Sequence, residues 1–276
     1  VEAAVREAVE ASCDFVSICK GKSVVLKPNV YCPSPAPTTT DPRVIAALIR
    51  LARDAGARKV TVAEGRSIST ALFRKHARTT RACFEAVGMD RAALDNGAEI
   101  AYLEDDEFIE VSDADAVVLK KAHVPRTVYE ADTLIDVPVL KIHSLTLATL
   151  GIKNLHGVIS DEDKLFAHDY SRLPQKLVDI LRYCNPELTV IDAVRGQEGD
   201  HASIGTPVET GLIISGRSHR SPHRAARVDG GRLRRSVQQD AVCRIQCGKG
   251  GQPRRQLEDS CGQQDLRRGV GQAVLG

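Results

Sequence analysis

The sequence predicts an α/β fold, a largely parallel sheet with helices on both faces. Short β-branched runs alternate with amphipathic stretches of about 10 to 15 residues, the rhythm of strand–helix–strand units. Runs such as SVVL and LTVI are almost continuously apolar, as in strands covered on both faces. With 276 residues, 42% of them hydrophobic and 27% charged, the chain has material for a substantial core and is not a disordered polymer.

VEAAVREAVEAS puts Val1, Ala4, Val5 and Val9 at helical spacing and predicts an opening amphipathic helix. SVVLKPN follows as a buried strand ending at the Lys27-Pro28 break. YCPSPAPTTT has neither period and is expected to be a loop. The next helix is well marked. Thr40 or Asp41 caps it, Pro42 takes the first position, Val44, Ile45, Leu48, Leu51 and Ala52 form its apolar stripe, and Gly56 closes it. KVTVAEG is a second strand, STALFRKHARTTRACFEAVG a long helix and AEIAYL a third strand. FIEV and AVVLKKAHV suggest a hairpin region, and TLIDVPVLKIH a strand broken or edged by Pro138. TLATLGIKNLHG is expected to be helical up to Gly157. SRLPQKLVDILRYC is a helix entered through Leu173-Pro174, and LTVIDAV and GLIIS are strands.

The net charge of +2 hides an asymmetry. Residues 217–276 hold 13 Lys and Arg against 5 Asp and Glu, so residues 1–216 are net acidic. The tail is rich in Arg, Gly and Gln, lacks aromatic residues and follows no structural period. It is expected to be irregular or disordered, because such a composition buries too little apolar surface to order itself. It also reads as an out-of-frame segment, since GLIIS runs into it without a linker. A basic tail contacting nucleic acid is the remaining reading. Two units are therefore expected, an α/β domain over 1–216 and a basic tail over 217–276.

The eight cysteines include no C-x-x-C pair, a scatter that suits free thiols in a reducing compartment, so a cytoplasmic location is expected. No apolar run is long enough to predict a membrane-spanning helix. The sequence opens at Val1 inside a helical pattern and reads as a fragment, which leaves an export signal open.

Chemistry is expected where strands end. VVL runs into Lys27 and Asn29, VTV into Glu64, VPVL into Lys141 and His143, and LTVI into Asp192. Ligands of open α/β sheets sit beyond the carboxyl ends of the strands, so parallel neighbours would bring these ends to one cleft. Lys141 and His143, two apart on a strand, point the same way. Lys153 and His156, three apart on a helix, are surface neighbours. GIKNLHG has neither the phosphate-loop nor the dinucleotide frame. It does gather Lys153, Asn154 and His156, a cation, an amide donor and an imidazole suited to carboxylate or phosphate. The plain alternative is a helix C-terminus, where Lys and His favour the dipole and Gly157 supplies the cap. His143, His156 and His168, with Glu64, Asp192 or Glu198, are the conceivable metal ligands. No paired-histidine spacing supports them, and no metal site is assigned.

In order, Lys27-Pro28-Asn29, TTTDP, AEG, VPVLKIH, TLGIKNLHG, His168, IDAV and GQEG resemble the DUF362 family over roughly residues 20–216. The resemblance implies an α/β fold and no particular reaction. Some members carry an iron–sulfur ferredoxin-type segment, and this chain has no C-x-x-C-x-x-C run for one. It departs from the family at Asp200-His201-Ala202, where members turn through Gly-Pro, and again after LIISG, where they continue as α/β.

The leading functional expectation is a protein that binds or acts on a small anionic molecule. Lys27, Lys141 and Lys153 would neutralise charge, with Asn29, Asn154, His168 and Asp192 as further ligand contacts. His143 or His156 would move a proton, oriented by Glu64 or Asp192. The alternatives are an iron–sulfur- or metal-linked redox protein whose cluster segment is absent here, and a non-catalytic partner-binding module using the basic tail. No cofactor is assigned, neither nucleic acid nor membrane is an expected partner, and the oligomeric state does not follow from the sequence.

Overall fold

The computed structural model describes residues 1–68, 79–167, 171–199 and 205–217, with the backbone alone at 226–227 and 246–249. Its strands are β1 (Ser23–Pro28), β2 (Lys59–Glu64), β3 (Glu99–Tyr102), β4 (Phe108–Ser112), β5 (Lys121–Pro125), β6 (Thr133–Val137), β7 (Val139–His143), β8 (Leu147–Thr149), β9 (Leu188–Glu198), β10 (Thr206–Arg217), β11 (Ala226–Arg227) and β12 (Gln246–Lys249). Among the described residues, the main sheet runs β12-β10-β9-β6-β1-β2-β3, with β7 between β9 and β8 off that path. The pairs β6/β1, β1/β2, β2/β3, β6/β9 and β7/β9 are parallel, so the sheet is mostly parallel, as expected. β9 with β10 and β7 with β8 are antiparallel. β4, β5 and β11 form a separate antiparallel sheet.

Strand alternation divides the interior into two cores. Val24, Leu26, Ile135, Val137, Leu188 and Val190 pack on one face with helices Glu2–Ser12 and Pro42–Asp54. Val25 and Leu134 look the other way, onto Leu155, Val158, Leu177 and Ile180. Each fully buried aliphatic side chain contributes about 1.5–3 kcal/mol, and cover on both faces is why β1 tolerates an unbroken apolar run. Helix Pro42–Asp54 starts as its sequence predicts: the Asp41 carboxylate accepts from the Arg43 N–H, and Pro42 occupies the first turn. Gly56 follows at φ +80°, the left-handed conformation that ends a helix cheaply only with glycine.

Three expectations change in detail, and at Pro138 the broken alternative is the one observed. TLATLGIKNLHG is not one helix: Leu147–Thr149 pairs with β7, only Gly151–Asn154 is α-helical, and Leu155–Gly157 is a 3-10 turn. The β-branched, Thr-rich start finds a strand edge to pair with, and that outweighs a weak helical preference. In AVVLKKAHV only the end is strand, because the N–H groups of Val117, Val118 and Leu119 donate to the Asp179 carboxylate instead of to a ladder. Pro138 breaks its run outright, leaving β6 beside β1 and β7 beside β9. The helix read from Ser69 is described only from Thr80 to Val87. Thr79 caps that part and Gly88, at φ +75°, closes it. Residues 69–78, His168 and nearly all of the basic tail lie outside the described residues.

Candidate functional site

A cavity of about 340 Å³ opens beyond the carboxyl ends of β1, β2 and β7. Lys27, Asn29, Tyr31, Glu64 and Gly65 line one side, and Lys141, His143, Thr149, Lys153, Asn154, His156 and Gly157 the other. On β1, Lys27 continues the face of Val25 and points to the side covered by the Gly151–Gly157 segment. On β7, Val139, Lys141 and His143 alternate inward and are all buried.

The floor is a hydrogen-bonded network. Lys27, fully buried, donates to Glu64 at 2.9 Å, to the Pro28 carbonyl at 2.9 Å and to Asn154 Oδ1 at 3.1 Å. Glu64 also accepts from the N–H groups of Val30 at 3.0 Å and Gly65 at 2.9 Å. Asn154 Oδ1 accepts from Asn29 Nδ2 at 2.9 Å, and Asn154 Nδ2 donates to Asp136 Oδ1 at 2.7 Å. Lys141 Nζ donates to Asn29 Oδ1 at 2.9 Å and to the Thr38 carbonyl at 2.6 Å, and lies 4.4 Å from the Tyr31 ring centroid. The Leu145 N–H donates to His143 Nδ1 at 3.1 Å, so a neutral His143 carries its proton on Nε2 and is a donor there.

The charges do not balance. Glu64 offsets Lys27, and Asp161 offsets Arg66 at 3.1 Å. Lys141 touches only neutral acceptors, and Lys153 makes no hydrogen bond or ion pair among the described residues. Burial first, then neighbouring charges that include Lys27, pushes the Lys141 ammonium down to about 7 and that of Lys153 down to about 8. Two cations are thus held in a hollow without a carboxylate to pair them, an expensive arrangement when the hollow contains only protein. Thr149 adds a buried hydroxyl with no hydrogen-bond partner among the described residues.

Eight of the expected site residues meet here: Lys27, Asn29, Glu64, Lys141, His143, Lys153, Asn154 and His156. Asp192 does not line the cavity. It shares the face of Leu188 and Val190, and its carboxylate accepts from the Asp41 N–H at 2.7 Å and the Val194 N–H at 3.1 Å, at the start of helix Pro42–Asp54. Tyr31 and Asp136 were not expected. No group of three or more His, Cys, Asp or Glu side chains is arranged to hold a metal ion among the described residues. A neighbouring hollow of about 600 Å³ shares Lys153 but is otherwise lined mostly by apolar groups such as Leu150, Leu177 and Ile214.

Gly157 is required by the network itself. A Cβ there would stand 2.7 Å from Glu64 Oε1 and 3.0 Å from Lys27 Nζ. Both atoms are locked by their other bonds, so Gly157→Ala is expected to cost about 1–3 kcal/mol, as overpacking does. Urea denaturation measures this, and an unchanged midpoint would show that the network yields freely.

A family model described as "Domain of unknown function (DUF362)" matches residues 24–219. The "Thylakoid-associated protein sll1697" of Synechocystis sp. is 26% identical over 210 residues, which cover 71% of this chain and 59% of that protein. The lactate racemase apoprotein from Thermoanaerobacterium thermosaccharolyticum superposes with a TM-score of 0.52 at 15% identity, covering 78% of this chain and 52% of that one. The last likeness is one of fold. This chain spans little more than half the length of either protein.

Proposed function

Because the chain belongs to the DUF362 family, whose function is not known, its role has to be inferred from its own side chains, and we propose that it binds a small carboxylate or phosphate in the Lys27–Lys141–Lys153 cavity. The observation that carries this reading is the pair of uncompensated cations, Lys141 and Lys153. An anion between them would supply the charge that the protein withholds. The Thr149 hydroxyl and His143 offer hydrogen bonds to its oxygens. His143 and His156 are the groups able to move a proton at the bound molecule. That the fold also serves a lactate racemase puts 2-hydroxycarboxylates among the first compounds to try. A cytoplasmic site of action belongs to the same proposal. It is supported by Cys13, Cys19, Cys32 and Cys184, which are free thiols. No helix among the described residues is long and apolar enough to cross a membrane.

The pH dependence follows from the lysines. An anion favours their charged forms, so binding takes up protons wherever the free protein has lost them. Affinity should therefore be full below about 7 and fall as pH rises through about 7 and then about 8. Calorimetric titration with lactate and with inorganic phosphate, at about pH 6 and about pH 9.5, should show binding at least about tenfold tighter at the lower pH. Absence of binding by every small anion tried, or a pH-independent affinity, would remove the proposal.

A further inference from the structure

Beneath the cavity, a single file of hydrogen bonds connects a cation to a buried carboxyl group. Lys141 Nζ donates to Asn29 Oδ1 at 2.9 Å, Asn29 Nδ2 to Asn154 Oδ1 at 2.9 Å, and Asn154 Nδ2 to Asp136 Oδ1 at 2.7 Å. All three bonds run the same way. An amide is an acceptor at one end and a donor at the other, so its two orientations are not equivalent. A charged Lys141 has only donors and demands the oxygen of Asn29. An ionised Asp136 has only acceptors and demands the nitrogen of Asn154. Both ends impose the same orientation on the amides between them, and Lys27, donating to Asn154 Oδ1 at 3.1 Å, requires it too.

We propose that Asp136 is the positioning residue of this site: through Asn154 and Asn29 it holds both amides in register and stabilises the charged form of Lys141. The inference rests on reading the cavity as an anion site, since the cation that Asp136 governs is the one meant to meet the ligand. Asp136 has no exposure and does not line the cavity, so it acts only through what it touches. Its Oδ2 has no hydrogen-bond partner among the described residues, which leaves Oδ1 and Asn154 as its hydrogen-bonded route. Hydrogen bonds in such a chain polarise one another, so charge at one end is felt at the other. Burial pushes the Asp136 carboxyl up to about 7 and the Lys141 ammonium down to about 7. Other charges bear on the pair: Lys27, Lys153, Glu64 and Cys32 on Lys141, and Lys27, Glu64 and Cys184 on Asp136. The substitutions below leave all of them in place. An anion docking on Lys141 would favour its proton, and the file would then favour ionised Asp136.

The test follows the titration of Lys141 by NMR in the ligand-free chain labelled at lysine, its resonance identified by its loss in Lys141→Met. Asp136→Asn keeps an acceptor for Asn154 but removes the charge, and should lower the Lys141 midpoint by about half a pH unit or more. Asn154→Ser leaves Asp136 and Lys141 intact and cuts the file between them. It should lower the midpoint as well, whereas a field acting directly across space would leave it in place. An unmoved midpoint in Asp136→Asn, or movement in that variant alone, overturns the inference. Should Asp136→Asn fail to fold, Asn154→Ser decides by itself. The measurement needs no ligand. A moved midpoint without lactate or phosphate binding would sink the proposed function only, and binding with an unmoved midpoint would sink this inference only.

Discussion

Glu64→Leu should destabilise the protein by about 3–5 kcal/mol, the usual cost of leaving one member of a buried ion pair alone. Lys27 has no exposure, so without Glu64 its charge is balanced, among the described residues, by nothing within ion-pair distance. Against a typical stability of about 5–15 kcal/mol, this is a large fraction of the whole. The double substitution Lys27→Met with Glu64→Leu removes both charges together and should recover most of the loss, because apolar side chains of similar volume often replace a buried pair at little cost. Urea denaturation of the three proteins gives the comparison. Agreement of the single and double variants within about 0.5 kcal/mol would mean that the pair is not what holds β1 to β2 at this end.

Lys141→Met should have opposite effects on binding and on stability. Met fills much of the same volume and removes a cation that touches no carboxylate, so the melting temperature should stay level or rise. Anion binding should weaken by about 2 kcal/mol or more, roughly thirtyfold in Kd at about pH 6. Thermal melts and calorimetry with lactate or phosphate measure the two quantities on one sample. A stabilised protein that has lost its ligand is the signature of a residue kept for function rather than for folding. If the variant instead loses stability and keeps its affinity, Lys141 is structural and the cavity has another purpose.

Much of this site was legible in the sequence for a geometric reason. Parallel strands put their carboxyl ends on one side, so Lys27, Glu64, Lys141 and His143, each written just after an apolar run, had to gather there once the sheet was parallel. Asp192 obeys the same rule but lies on the other face. Its parity with Leu188 and Val190 was already visible, and it directs the carboxylate toward Asp41. Asp136 also left a signal, a lone carboxylate inside the buried run TLIDVP, where an acidic group needs a partner. Tyr31 left none. It follows a strand end in a Pro-rich loop without periodicity, and its place under Lys141 depends on the path of that loop. The hairpin of β7 and β8 was hidden because the pairing of Lys141 with Thr149 and His143 with Leu147 is a tertiary fact that local propensity does not record.

The most direct test is a crystal structure of the chain grown with whichever small anion binds it most tightly. The account predicts that anion inside the cavity, with oxygens about 2.7–3.2 Å from the Nζ atoms of both Lys141 and Lys153. An anion bound elsewhere while the cavity holds only water would contradict it.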